Sequence, residues 1–240
     1  MIIDAGDVPA SDGQRVRPGK VYRLSGGLAK PGELEALDAV GLRRVVDLRG
    51  TDEDRSVIQD WAKDNGVDYV SQPIPAARRD DFVRAAAEAE TEEAAFAYMR
   101  ELYERVVDNF GPQIAATIGA MSKELPAGFG CAAGKDRTGI VNAFLHVLLG
   151  VPEEEAAMRY VNGAPSVERL VPLTRNIMEL EESEPLPMGV EVLLRATPEL
   201  INAAIARAEE THGSIEGYLE HHGLAPEAIE RLREQLLVPV

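Results

Sequence analysis

The chain predicts an α/β fold: a central, largely parallel sheet flanked by helices, with a C-terminal helical extension. Three observations carry that reading. Short apolar runs alternate with helical patterns between residues 20 and 74, the β-α-β-α-β order that builds a helix-covered parallel sheet. A further strand, loop and helix are predicted over residues 126–151. Beyond residue 150 no strand is evident, and helix start and stop signals recur.

The elements follow in order. The first 20 residues are rich in Asp, Gly and Pro and read as an irregular lead-in. Residues 20–25 read as a strand, with Gly26-Gly27 as its turn. Residues 31–40 place Leu34, Leu37 and Val40 at helical spacing and close at Gly41. Residues 42–48 read as a buried strand ending in Asp47-Leu48-Arg49, residues 51–65 as a helix stopped by Gly66, and residues 67–74 as a strand broken by Pro73 and Pro75. Residues 76–90 have little apolar patterning and read as a loop or frayed helix. Residues 91–110 form a clear helix: Thr91 caps it, Glu92 and Glu93 suit its first turn, and Phe96, Met99, Leu102, Tyr103 and Val106 make its core stripe. A second helix, 112–125, opens on Pro112.

After residue 150, helices are predicted at 152–162, 166–180, 188–195, 198–211, 214–222 and 226–237. The Glu- and Pro-rich stretch 179–187 is the best break. It divides a body, 1–187, from a helical extension, 188–240, expected to pack on that body rather than stand as an independent domain. The extension is compatible with covering the site or with buttressing it.

Composition narrows the function. At 240 residues and 45% hydrophobic content the chain can bury a sizeable core. Its net charge of −16 excludes non-specific nucleic-acid binding and predicts no stable association with an anionic membrane. Met1-Ile-Ile-Asp4 turns acidic at once, unlike a targeting peptide. The longest apolar run, 139–151, contains Asn142 and His146 and suits a buried helix better than a membrane span. Cys131 is the only cysteine, so no internal disulfide forms, and a cytoplasmic location is the expectation. His212, His221 and His222 lack Cys or carboxylate partners at ligand spacing, and His146 reads as a satisfied core residue, so neither a metal nor another cofactor is expected.

The chemistry concentrates at Gly130-Cys131-Ala132-Ala133-Gly134-Lys135-Asp136-Arg137-Thr138-Gly139. A loop of small residues at a helix N-terminus turns its N–H groups inward, and the helix dipole adds positive charge. Ala132, Ala133, Gly134 and Lys135 would then line a phosphate cradle, with the Arg137 guanidinium forked onto the anion. The thiolate is the nucleophilic form of cysteine, and loop amides, helix terminus and Arg137 all favour an anion at Cys131. The Thr138 hydroxyl is placed to donate to the sulfur and help it leave. An NTP-binding P-loop is excluded, because Phe129 stands where that motif needs its first glycine and Asp136 where it needs Ser or Thr.

Cys131-x5-Arg137-Thr138 is similar to the signature of cysteine-dependent phosphatases, and the fuller Cys-Ala-Ala-Gly-Lys-Asp-Arg-Thr-Gly resembles the bacterial tyrosine-phosphatase-like family. Val21-Tyr-Arg-Leu-Ser-Gly26, Val45-Val-Asp-Leu-Arg49 and Gly213-Ser-Ile-Glu-Gly-Tyr-Leu219 resemble other segments of that family, so the likeness covers most of the chain. It implies a metal-independent phosphatase acting through a phosphocysteine intermediate on a phosphorylated protein or small phosphomonoester. A protein-tyrosine or dual-specificity phosphatase is the expected type, and phosphoinositide activity is the further possibility the family carries.

The resemblance also implies an acid at Asp136, which would protonate the leaving oxygen. Asp80 or Asp81 swinging in from the loop after Pro75 is the alternative. Lys135 is expected to contact the substrate phosphate or a second acidic group. Asp47, Arg49 and Arg23 are candidates either for bracing the loop or for plain structural pairing. One position departs from the family, which usually has His directly before the cysteine; here it is Gly130. Three consequences stay open: a slower enzyme, a substitute brace, or a pseudophosphatase that binds phosphate without turning it over.

Overall fold

The computed structural model describes residues 1–24, 31–75 and 79–240, with the backbone alone at 31–33 and 79–80. The turn expected at Gly26-Gly27 lies outside these residues. The chain opens with three strands, β1 (Ile2–Asp4), β2 (Val8–Ala10) and β3 (Gln14–Val16), where composition predicts irregular structure. This corrects the sequence reading, and the reason is length: three-residue strands are too short to show a period of two. Their partners are distant. β1 runs antiparallel to β4 (Val21–Leu24), while β3 pairs with β2 and with β8 (Leu237–Pro239), a strand unforeseen in the helical C-terminal region.

The main sheet continues with β5 (Arg44–Asp47), β6 (Asp68–Ser71) and β7 (Ala127–Gly130) in the order β1-β4-β7-β5-β6. All its pairings are parallel except that of β1, in agreement with the predicted fold class. Successive strand residues face opposite sides. Thus Val45 joins Leu24 in one apolar cluster with Leu37 of α1 (Pro31–Val40) and Ile58 and Trp61 of α2 (Ser56–Asp64). Val46 joins Val21, Ala127 and Phe129 in the larger core. Residues from α4 (Glu92–Met121) and α5 (Asp136–Leu148) fill that core, which runs on through the C-terminal helices to Leu236.

α4 spans both helices expected at 91–110 and 112–125, with a break at Phe110 (φ −126°, ψ 24°). Pro112 supplies the cause, since its ring cannot sit against the carbonyl of the preceding turn. Thr91 caps the helix, accepting from the Ala94 N–H at 3.2 Å. α3 (Arg79–Glu88) occupies the stretch read as a loop or frayed helix. It is ordered by burial of Ala85, Ala86 and Ala89, small residues that leave only a faint apolar signal. Past residue 150 come α6 (Glu153–Asn162), α7 (Val167–Met178), α8 (Val190–Leu194), α9 (Pro198–His212), α10 (Ile215–His221) and α11 (Pro226–Leu236). α9 packs on α4, α5 and α6, and the Tyr218 hydroxyl of α10 donates to the Val107 carbonyl of α4 at 2.7 Å. Among the described residues, no helix is long and apolar enough to cross a membrane.

Candidate active site

β7 is buried along its whole length between β4 and β5, and delivers Cys131 at the carboxyl end of the parallel strands. This edge is where open α/β sheets bind ligands. The Leu48 N–H donates to the Gly130 carbonyl at 2.8 Å, the last bond before the chain leaves the sheet. The loop turns at Gly134, whose φ of +72° lies in the left-handed region. α5 then starts at Asp136, and the N–H groups of its first turn have no acceptor within the helix.

Gly130 has a packing reason of its own. A Cβ there would lie 2.4 Å from the Leu24 carbonyl oxygen on β4. The histidine usual in the resembling family therefore does not fit without displacing a strand. The loop is held from elsewhere. Arg23, 2% exposed on β4, donates from Nη2 to the Gly134 carbonyl at 3.2 Å and from Nη1 to the Arg159 carbonyl at 3.1 Å. Burial lowers the Arg23 pKa to about 10, against an upward pull from Tyr160, Cys131 and Tyr103, so the guanidinium keeps its charge at neutral pH.

Thr138 bonds to Cys131 twice. Its hydroxyl accepts from the Cys131 N–H at 3.0 Å and donates to Cys131 Sγ at 3.2 Å. Arg137 is fixed by a residue the sequence reading missed. Its Nη1 and Nη2 donate to the two carboxylate oxygens of Glu53 at 2.6 and 3.0 Å, and Nη1 also reaches the Leu48 and Ile74 carbonyls. A guanidinium has five N–H groups. The Nε–H and one Nη2–H have no partner among the described residues, and together they form an edge suited to a bidentate grip on phosphate. Glu53 thus orients Arg137 without using that edge. Burial pushes the Arg137 pKa down, but the Cys131 sulfur, Glu53 and Asp136 push it up further, and the net shift is upward.

Asp136 Oδ1 accepts from the Tyr103 hydroxyl at 2.7 Å and lies 3.0 Å from Lys135 Nζ. Tyr103 and Tyr160 share a hydrogen bond of 2.6 Å. Burial, reinforced by Asp136, raises the pKa of both phenols, which stay neutral donors. Lys135 is 2% exposed, and Nζ donates to the Leu193 and Arg195 carbonyls at 2.8 and 3.2 Å, tying the loop to the C-terminal end of α8. Its ammonium is engaged with protein groups rather than free for a substrate. Of the alternative acids, Asp81 pairs with Arg84 at 3.0 Å, and the Asp80 side chain lies outside what is described.

Cys131, Ala132, Ala133, Lys135, Asp136 and Arg137 all line one cavity of about 430 Å³. Its remaining wall is largely apolar, with Phe82 of α3, Met99 and Leu102 of α4, Leu170 and Leu173 of α7, and Leu193 of α8. Asp47 and Arg49 pair with each other instead of reaching into it: Arg49 Nε and Nη2 donate to the Asp47 carboxylate at 3.0 and 2.8 Å, and the Tyr69 hydroxyl adds a bond of 3.0 Å. Burial and Asp47 push Tyr69 up to about 12.

Glu53, Tyr103, Tyr160 and the bond from Arg23 to the loop carry no spacing signal in the sequence. Glu53 stands 84 residues from Arg137, in a turn ahead of α2 where the sequence reading expected the helix of residues 51–65 to have begun already. His146 is the core residue expected, with Nε2 2.8 Å from the Ala5 carbonyl and Nδ1 3.3 Å from Asn142 Nδ2. Among the described residues, no group of three or more His, Cys, Asp or Glu is arranged to hold a metal ion.

The family model described as tyrosine phosphatase family matches residues 4–238. The triple specificity protein phosphatase PtpB of Mycobacterium tuberculosis is 27% identical over 92% of this chain and 92% of its own length. A tyrosine-protein phosphatase of Nostoc commune is 26% identical over 84% of this chain and 68% of its own. The solved structure of P. aeruginosa TpbA has 16% identity over 76% of this chain and 90% of its own, with a TM-score of 0.37, too low to add weight. The match of the family model along nearly the whole sequence is decisive: the chain belongs to the tyrosine phosphatase family.

Proposed function

We propose that the protein hydrolyses phosphomonoesters without a metal, with Cys131 as nucleophile, and that it prefers aryl esters such as phosphotyrosine. The observation that carries this reading is that the Thr138-wired sulfur, Arg137 and Asp136 share one cavity whose remaining wall is largely apolar, with Asp52, Glu53 and Thr174 its other polar members. Cys131 Sγ attacks phosphorus as the bond to the leaving oxygen breaks, and Asp136 gives that oxygen its proton. The Nε and Nη2 edge of Arg137 and the loop N–H groups hold the charge of the transferring phosphoryl group. Water then attacks the phosphocysteine, Asp136 takes up a proton from it, and Thr138 donates to the departing sulfur.

The apolar walls favour an aromatic leaving group over serine, threonine or inositol. The engagement of Lys135 with Leu193, Arg195 and Asp136 argues in the same direction, because it leaves that lysine without a free N–H edge for a second phosphate. The relative from M. tuberculosis is named for a triple specificity, and a panel of phosphopeptides and soluble inositol phosphates would set this chain's range beside it. The partner is the phosphorylated substrate, with no nucleic acid and no stable membrane association, in keeping with a net charge of −16 and a cytoplasmic setting. Residues 188–240 belong to the same folding unit as residues 1–187, joined to the loop through Lys135.

The test is turnover of an aryl phosphate in the presence of a chelator. The wild type is expected to turn over and Cys131→Ser to be inactive. A Cys131→Ser variant at the wild-type rate would overturn the assignment, and an inactive wild type that still binds the ester would leave a phosphate-binding pseudophosphatase.

A further inference from the structure

The catalytic loop has a second cavity behind it. Arg23, Asn142, His146, Arg159 and Asp4 line a space of about 160 Å³, and none of them lines the thiol cavity. That volume is several times the roughly 30 Å³ share of one water molecule in the liquid. Three of its polar lining side chains are essentially inaccessible, Arg23 at 2% and Asn142 and His146 at 1% exposure, and two of them have a polar atom without a partner: Arg23 Nε and Asn142 Oδ1.

The hydrogen-bond pattern fixes which atom of Asn142 is left over. His146 Nε2 faces the Ala5 carbonyl at 2.8 Å, so Nε2 carries the proton and donates. In the neutral ring Nδ1 is then an acceptor, and it takes its bond from the Asn142 Nδ2 group at 3.3 Å. The amide oxygen is the atom without a partner. The cavity therefore offers one buried donor, Arg23 Nε–H, and one buried acceptor, Asn142 Oδ1.

Charge decides between ligand classes. Arg159 is balanced by Glu155 at 2.9 Å. The two oxygens of Asp4 accept from the Gly6 and Gly19 N–H groups at 2.8 and 2.6 Å. Arg23 bonds only to carbonyls among the described residues, so its positive charge has no carboxylate beside it. A complementary guest is small, carries negative charge to meet Arg23, and keeps an O–H to donate to Asn142.

We propose that this cavity is a second site for a small protonated oxyanion, of the hydrogenphosphate or bicarbonate class, held between Arg23 Nε and Asn142 Oδ1. Its occupant would touch the same guanidinium that holds the Gly134 carbonyl of the catalytic loop. The site does not depend on which ester the enzyme cleaves.

Equilibrium dialysis of the full chain with radiolabelled inorganic phosphate tests it, with bicarbonate as competitor. The wild type is expected to bind two equivalents of phosphate and Asn142→Leu one, the survivor being the equivalent at the catalytic loop. Displacement of one equivalent by bicarbonate supports the same site. A single equivalent in both proteins, or two in both, overturns the proposal. Should Asn142→Leu fail to fold, wild-type crystals soaked in arsenate, which keeps an O–H at neutral pH as phosphate does, decide: an anomalous peak within hydrogen-bond distance of Arg23 Nε supports the site, and its absence overturns it.

Discussion

The two faces of the catalytic loop hold their charged groups in opposite ways. In front, Arg137 and Asp136 meet side chains from distant elements, Glu53 and Tyr103, and Asp136 also pairs with its neighbour Lys135. Behind, Arg23 is held by main-chain carbonyls alone among the described residues. The difference separates two tasks. A side chain that must present one edge to a reacting group is fixed by directional, charged partners that leave that edge open. A cation that supports a loop carbonyl needs only its position, and keeps its field close to the anion site because nothing neutralises it.

Breaking the front face carries the largest expected effect. Arg137→Lys retains charge but cannot keep both the Glu53 pairing and a two-point grip on phosphate. By analogy with the loss of an oxyanion donor, kcat for an aryl phosphate should fall about 10²–10³-fold. Steady-state kinetics check this, and a change of less than about tenfold would mean that the fork edge is not used.

The back face is sharpened by pH. Burial pulls the His146 pKa from 6.5 down to about 4, despite the opposing bond to Ala5. Between those values the unfolded chain binds a proton that the folded one does not. Stability from this residue is therefore complete above pH 6.5 and lost as pH falls toward 4, amounting to about 3 kcal/mol. Urea unfolding across that window, compared with His146→Gln, measures it; parallel pH curves for the two proteins would contradict a neutral buried ring.

A smaller effect is expected where the two faces meet the sheet. Gly130→Ala presses a methyl group on the Leu24 carbonyl and should cost about 1–3 kcal/mol. Replacement by histidine, the family's usual residue, should cost more stability rather than add activity. Denaturant midpoints decide, and an unperturbed Gly130→Ala would show that β4 yields easily.

The sequence revealed the parts of this molecule that are local. The spacing of Cys131, Arg137 and Thr138, the strand ahead of them and the helix after them are contiguous; Thr138 bonds to Cys131, and Cys131 and Arg137 line one cavity. The α/β alternation was legible because each element is long enough to show its period. What stayed hidden depends on chain separation or on brevity. Glu53 and Tyr103 reach the loop across the fold, and β1, β2, β3 and β8 are three residues each. Lys135 read as a substrate contact because its loop setting was visible and the α8 carbonyls that hold it were not. Gly130 read as a missing brace; only the neighbouring strand explains it.

The central claim is that phosphorus passes through the sulfur of Cys131. With 4-nitrophenyl phosphate, whose phenolate leaves without needing a proton, Asp136→Asn should slow the second step more than the first, since its amide takes no proton from the attacking water. Rapid acid quench of that variant with an aryl phosphate, followed by peptide mass spectrometry, should find one phosphoryl group on the peptide containing Cys131. Continued release of phosphate with that peptide never phosphorylated would contradict the mechanism at its root.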